Sequence, residues 1–169
     1  MTDTLTPEQR HRCMSNIRGK DTKPEMIVRK YLFSKGLRYR IHVRSLPGNP
    51  DIVLPKYRTV IFINGCFWHG HEGCKYYRLP KSNVEFWEAK ISRNKARDRE
   101  NEIKLKELGW RVIRIWECEI RNVSSREKNL ERLYKNVIIS NAGGQYEAEQ
   151  DYVIAAENET YYNTKNKSL

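Results

Sequence analysis

Ten residues, Gly65 to Cys74 (GCFWHGHEGC), hold two cysteines and two histidines. Cys66, His71 and Cys74 are spaced as ligands of one soft cation, and Cys118 offers a fourth. Three thiolates and one imidazole make the closed tetrahedral set of a structural zinc site, with no position left for water. His69 is the alternative imidazole, and free cysteines beside a surface histidine pair are the plainer reading. A second group is acidic. Asp51 follows Gly48-Asn49-Pro50, and Glu25 lies near the start of a helical stretch. A hard cation such as Mg2+ takes one or two carboxylates together with waters and phosphate oxygens. Glu25 as a helix cap and Asp51 as a turn cap are the corresponding plain uses. If His71 binds metal, His69 is left with no evident structural task, and its plain reading is an ordinary loop histidine. Phe67 and Trp68 stand inside the metal loop, either as core residues or as rings held rigid for insertion into a partner.

The elements that must position these groups follow from periodicity and punctuation. Residues 6–19 read as a short Arg-rich helix. Thr22 with Glu25 three residues on is a capping box, Pro24 suits a first turn, and Gly36 stops that second helix. Residues 37–43 alternate apolar and polar and predict a half-buried strand. Residues 51–54 and 59–63 predict a hairpin pair, and 110–116 another strand. A long charged helix spans 84–108 and a last helix spans 125–140, with Leu130, Leu133 and Val137 in register. The predicted class is α/β, a mixed central sheet flanked by helices. If the strands before Cys66 and Cys118 are parallel neighbours, both cysteines leave the sheet at one edge.

Composition bounds the partner. The chain of 169 residues has 38% hydrophobic residues and a net charge of +11, with a pI near 9.6. Residues 141–169 carry five acids and two bases, which leaves residues 1–140 with 30 bases against 16 acids. One folded domain over 1–140 with a partly ordered tail over 141–169 is expected. A body this basic, with ten tyrosines and four tryptophans, fits a polyanion whose bases can stack on aromatic faces. No apolar leader and no bilayer-length apolar run are present, so the expected location is the cytoplasm, where cysteines serve metals rather than disulfides.

The stretches DTKPE, LPGNPDIVLPKYRTVIFINGCFWHGHEGC, FWEAKI, ARDRE and LGWRVIRIWECEI closely resemble the very short patch repair DNA mismatch endonucleases, from about Arg10 to Arg121. The resemblance implies a restriction-endonuclease-like fold, in a bacterial nucleoid-associated protein acting as a monomer. It implies nicking of duplex DNA beside T:G mismatches left by deamination of 5-methylcytosine. Asp51 then matches a magnesium-binding aspartate, joined by the backbone carbonyl of Ile63. His69 matches a general base and Glu25 a supporting acid. Cys66, His71, Cys74 and Cys118 match structural zinc ligands. Phe67, Trp68 and Trp87 match rings that wedge into the base stack, Lys90 and Asn94 match residues addressing the mismatched pair, and Met14 belongs to a segment reaching the minor groove. A MutL-type repair protein and a 5-methylcytosine methyltransferase system are the implied partners.

Two departures stand out. The family pattern has histidine where this chain has Asn64, a catalytic position. It also spaces the last two loop ligands one residue closer than His71 and Cys74. The readings from other classes are a restriction-like or general nicking enzyme of the same fold, and a non-catalytic zinc-stabilised DNA-binding protein.

Overall fold

The computed structural model describes residues 6–16 and 19–139; the tail over 141–169 lies outside the described residues. Helix α1 (Pro7–Ser15) opens the chain and contains Met14, whose side chain also falls outside what is described. Helix α2 (Lys23–Ser34) starts as its capping box requires: the Glu25 N–H donates to Thr22 Oγ1, and the Glu25 carboxylate accepts from the Thr22 N–H. Gly36, at φ +82, ends it.

Strands β1 (Ile52–Leu54) and β2 (Thr59–Asn64) pair antiparallel through a 3-10 turn over Pro55–Tyr57. Strand β3 (Arg111–Trp116) pairs parallel with β2, from Thr59 opposite Arg111 to Asn64 opposite Trp116. Helix α3 (Val84–Glu107) makes the crossover between them, and α4 (Glu117–Arg121) and α5 (Val123–Ile138) follow. The result is a mixed three-strand sheet in the order β1-β2-β3 between two helical layers.

Side-chain alternation explains the layers. Ile52, Leu54, Ile61 and Ile115 face Val28 and Leu32 of α2 and Leu130, Leu133 and Val137 of α5. Val53 and Val60 face the other way, onto Leu105 of α3. The strand expected over 37–43 is reduced to one antiparallel bridge, in which Arg40 and Val53 exchange both backbone hydrogen bonds at 2.8 and 2.9 Å. His42, at φ +57, takes the chain out of the extended path two residues later. Among the described residues, no helix is long and apolar enough to cross a membrane.

Candidate active site and metal centre

The parallel pairing of β2 with β3 sets the metal cluster. Asn64 and Trp116 are register partners, and Cys66 and Cys118 each sit two residues further on, at the same sheet edge. The loop after Cys66 turns back on itself: the His71 N–H donates to the Cys66 carbonyl at 2.9 Å and the Cys74 N–H to the His71 carbonyl at 3.2 Å. The ligand atoms of Cys66, His71, Cys74 and Cys118 all lie within 4.8 Å of one another. His71 Nδ1 is 3.5 Å from Cys118 Sγ, close to the roughly 3.6 Å that a tetrahedral ion imposes on a nitrogen at about 2.0–2.1 Å and a sulfur at about 2.3 Å. The indole of Trp116 stacks on the His71 ring at 4.0 Å and 1°, which fixes its plane. Burial and the neighbouring thiols push Cys118 up to about 12, and burial also raises Cys66, whereas the Tyr76 N–H lowers Cys74. Three thiols crowded this way become thiolates together only if a cation joins them. The set fits a closed soft-metal site.

His69 does not enter the cluster. Its Nδ1 lies 2.5 Å from Asp98 Oδ2, on α3. That contact places the Nδ1 proton toward the carboxylate and leaves Nε2 as the acceptor. The pair lines a cavity of about 280 Å³ with Asn64, Arg97, Asn101 and Arg114. Asn64 is buried at 4% exposure, so this departure from the family pattern sits in the wall of the same cleft.

The acidic group assembles along the β2 edge that faces β1. Pairing with β1 ends at Ile52 opposite Ile61, which leaves the β2 edge open beyond that point. There the Ile63 N–H donates to Asp51 Oδ2 at 2.7 Å. In an extended residue the N–H and C=O share one edge, so the Ile63 carbonyl faces the Asp51 side too. Burial pushes the Asp51 carboxyl up to about 6 and the Glu25 charge adds to this, while the Ile63 N–H, Arg29 and His69 act against it.

Glu25 is brought near Asp51, but both its oxygens are engaged. Oε1 accepts from the Thr22 hydroxyl at 2.7 Å, and Oε2 from the Asp21 N–H at 2.9 Å and Arg29 Nη2 at 2.8 Å. Arg29, itself 5% exposed, also reaches Asp21 at 2.5 Å and the Asp51 carbonyl at 3.5 Å. Both carboxylate oxygens of Glu25 thus already have donors within the chain. Arg29 and Asp98 are the two charged residues that sequence reasoning missed; the ARDRE stretch and the four-residue step from Asn94 were the available signals for Asp98.

The aromatic residues form one cluster. Phe67 meets Trp68 at 5.1 Å and Trp87 at 5.3 Å edge-on, and Trp68 lies 6.0 Å from Trp87. Phe86, 52% exposed, adds a fourth ring at 5.2 Å from Trp87. Lys90 Nζ lies 5.5, 5.7 and 5.8 Å from the ring centroids of Trp68, Phe86 and Trp87. Asn94 Nδ2 donates to the Trp68 carbonyl at 2.9 Å. None of the three predicted wedge rings is a core residue; all are partly exposed.

The fold and site define a small α/β protein with a Cys3His group able to hold a metal ion, a cluster of aromatic rings on its loop and on α3, and a His69–Asp98 pair in a cleft. Residues 2–75 match the sequence profile of the DNA mismatch endonuclease Vsr family. The chain is 38% identical to the DNA mismatch endonuclease Vsr of Escherichia coli K12 over 157 residues, which is 92% of this chain and 100% of that protein. It is 47% identical to the type II nicking enzyme V.XorIIP of Xanthomonas oryzae over 133 residues, 79% of this chain and 97% of the relative. A further relative, the type II nicking enzyme V.NmeAIP of Neisseria meningitidis, is 47% identical over 137 residues, 81% of this chain and 97% of the relative. The chain belongs to the DNA mismatch endonuclease Vsr family. It is a DNA endonuclease, with DNA as its substrate.

Proposed function

We propose that this protein nicks duplex DNA 5′ of the T in T:G mismatches that arise from deamination of 5-methylcytosine, and so starts very short patch repair on a restriction-endonuclease-like scaffold. The observation that carries the reading is the His69–Asp98 pair held at the base of the aromatic loop, beside Asp51. Cys66, His71, Cys74 and Cys118 would hold Zn2+, which ties the loop to the ends of β2 and β3. Asp51 and the Ile63 carbonyl would hold Mg2+, whose charge stabilises the phosphoryl oxygens in phosphodiester hydrolysis.

The chain's own groups do the rest. Asp98 holds His69 in one tautomer, and His69 Nε2 takes the proton of a water that attacks the scissile phosphate in line. Glu25, clamped by Arg29, shapes the Asp51 environment. Asn64 takes the place of a second histidine and supplies an amide in its stead. Phe67, Trp68 and Trp87 open the base step beside the mismatch, which costs less to distort than a paired step. A metal-tethered loop loses little ordering entropy on insertion, so more of the stacking energy remains. Lys90 and Asn94 would address the mismatched pair, and the segment to which Met14 belongs would reach the minor groove. A MutL-type protein and a 5-methylcytosine methyltransferase system would be its working partners.

A second reading keeps the nuclease but makes the flanking sequence decide the cut; the two relatives at 47% identity bear the names of type II nicking enzymes. Either reading is tested by separating binding from cleavage. With a T:G duplex and Mg2+, His69→Ala is expected to bind within a few-fold of wild type and to nick about 10²- to 10⁴-fold more slowly. Binding lost in step with activity would refute the role given to His69.

A further inference from the structure

We propose that Asn94 is a bridge between base reading and chemistry, with one end of its amide on the DNA base and the other on the peptide that carries His69. This rests on the reading of His69 as the base and of α3 as the helix facing the mismatch.

The geometry begins with one stripe of α3. Trp87, Ile91, Asn94 and Asp98 follow each other at steps of three or four residues and share a face. Along that face the helix grips the loop from end to end. Trp87 touches Phe67 and Trp68. Ile91 lies so close under Gly70 that a Cβ there would meet its Cγ2 at 2.9 Å. Asn94 donates to the Trp68 carbonyl, and Asp98 holds His69. Lys95 adds an ion pair with Glu72.

Asn94 sits between the wedge and the base. A carbonyl accepts only from a donor, so the Trp68 oxygen fixes which end of the carboxamide faces the loop. One of two N–H groups is thereby used, and the second N–H and Oδ1 remain. One donor and one acceptor of the amide thus remain for a base edge. The residue is only partly buried.

The Trp68 carbonyl and the His69 N–H belong to one planar peptide. Asn94 holds the carbonyl end, while the N–H end donates to Gly65 at 3.2 Å. Fixing the amide of Asn94 therefore fixes the peptide from which the imidazole projects. A base edge that satisfies the free end of Asn94 locks its rotamer and with it the histidine. An edge that does not satisfy it leaves the amide mobile and the histidine misplaced, and a displacement of about 1 Å can cost about 10²-fold in rate.

The test is single-turnover nicking of a T:G duplex with Mg2+ at saturating protein, so that affinity drops out. Asn94→Ala and Asn94→Asp are compared with wild type, with His69→Ala as control and zinc content and Tm read on the same samples. The expected result is a saturating rate at least about tenfold lower for Asn94→Ala. Asn94→Asp should fall at least as far, because its carboxylate faces a carbonyl. Zinc and Tm should be unchanged. A saturating rate reduced less than that, whatever the Kd, overturns the bridge and leaves Asn94 as a base contact only. A rate loss that follows lost zinc or a lowered Tm overturns it as well, since Asn94 would then be scaffold. His69→Ala nicking at the wild-type rate would sink the underlying assignment, and the bridge with it.

Discussion

Replacing Asp51 by asparagine removes a charge that the fold holds at a cost. The carboxyl sits at about 6 instead of its ordinary 3.8, chiefly because it is buried and secondarily because Glu25 lies near. A raised carboxylate destabilises the folded chain at any pH where it is ionised, and the cost fades as pH falls from about 6 toward 4. At about 1.4 kcal/mol per pH unit, the ionised group costs the fold up to about 3 kcal/mol at pH 8 and about half of that at pH 5. An asparagine Oδ1 can still accept the Ile63 N–H, so the variant keeps the hydrogen bond and loses the charge. Asp51→Asn is therefore expected to be the more stable protein at pH 8 without Mg2+, by roughly 6–12 °C in Tm at the upper bound. Urea unfolding of zinc-loaded wild type and variant at pH 8 and pH 5 reads the difference. Effects of pH on the zinc ligands are common to both chains and drop out. Mg2+ should stabilise wild type by mass action and leave the variant unmoved, while cleavage by the variant stays absent at every Mg2+ concentration. A variant less stable than wild type at pH 8, or an advantage of equal size at both pH values, would refute the reasoning.

Other consequences follow from the same contacts. Cys118→Ser removes the ligand that closes the cluster; zinc content should fall well below stoichiometric, and the near-UV circular dichroism of the tryptophans should flatten. Arg29→Met leaves Glu25 buried without its cation and should cost about 3–5 kcal/mol in urea unfolding, whereas Arg29→Met with Glu25→Gln should recover part of it. Gly70→Ala forces a Cβ against Ile91 at φ +60; a loss of roughly 1–3 kcal/mol is expected, and Gly70→Ala as stable as wild type would show that the loop is not gripped by α3.

What could be seen in the sequence was what depends on local pattern. The β-branched runs of β2 and β3, each followed within three residues by a cysteine, made the metal edge legible in the sequence. The capping box at Thr22 was legible for the same reason. The strand at 37–43 was misread because alternation carries no sign of the left-handed turn at His42. The five-residue α4 follows β3 without a break and gave no periodicity to detect. Asp98 was hidden by distance, since its partner lies 29 residues away and charged residues on a long helix ordinarily face solvent. Arg29 was hidden for a related reason: a basic residue at helical spacing from Glu25 looks like a surface pair, and only packing against Asp51 turns it inward.

The most direct measurement is nicking in Mg2+ of three labelled duplexes: T:G within a cytosine-methylation sequence, its fully paired twin, and T:G in scrambled flanks. A single nick, 5′ of the mismatched T, is expected in the first duplex and not in its twin; the third shows how far the flanks decide. Equal cutting of all three would keep the nuclease and contradict its mismatch role, and binding without any cut would contradict the chemistry assigned to His69 and Asp51.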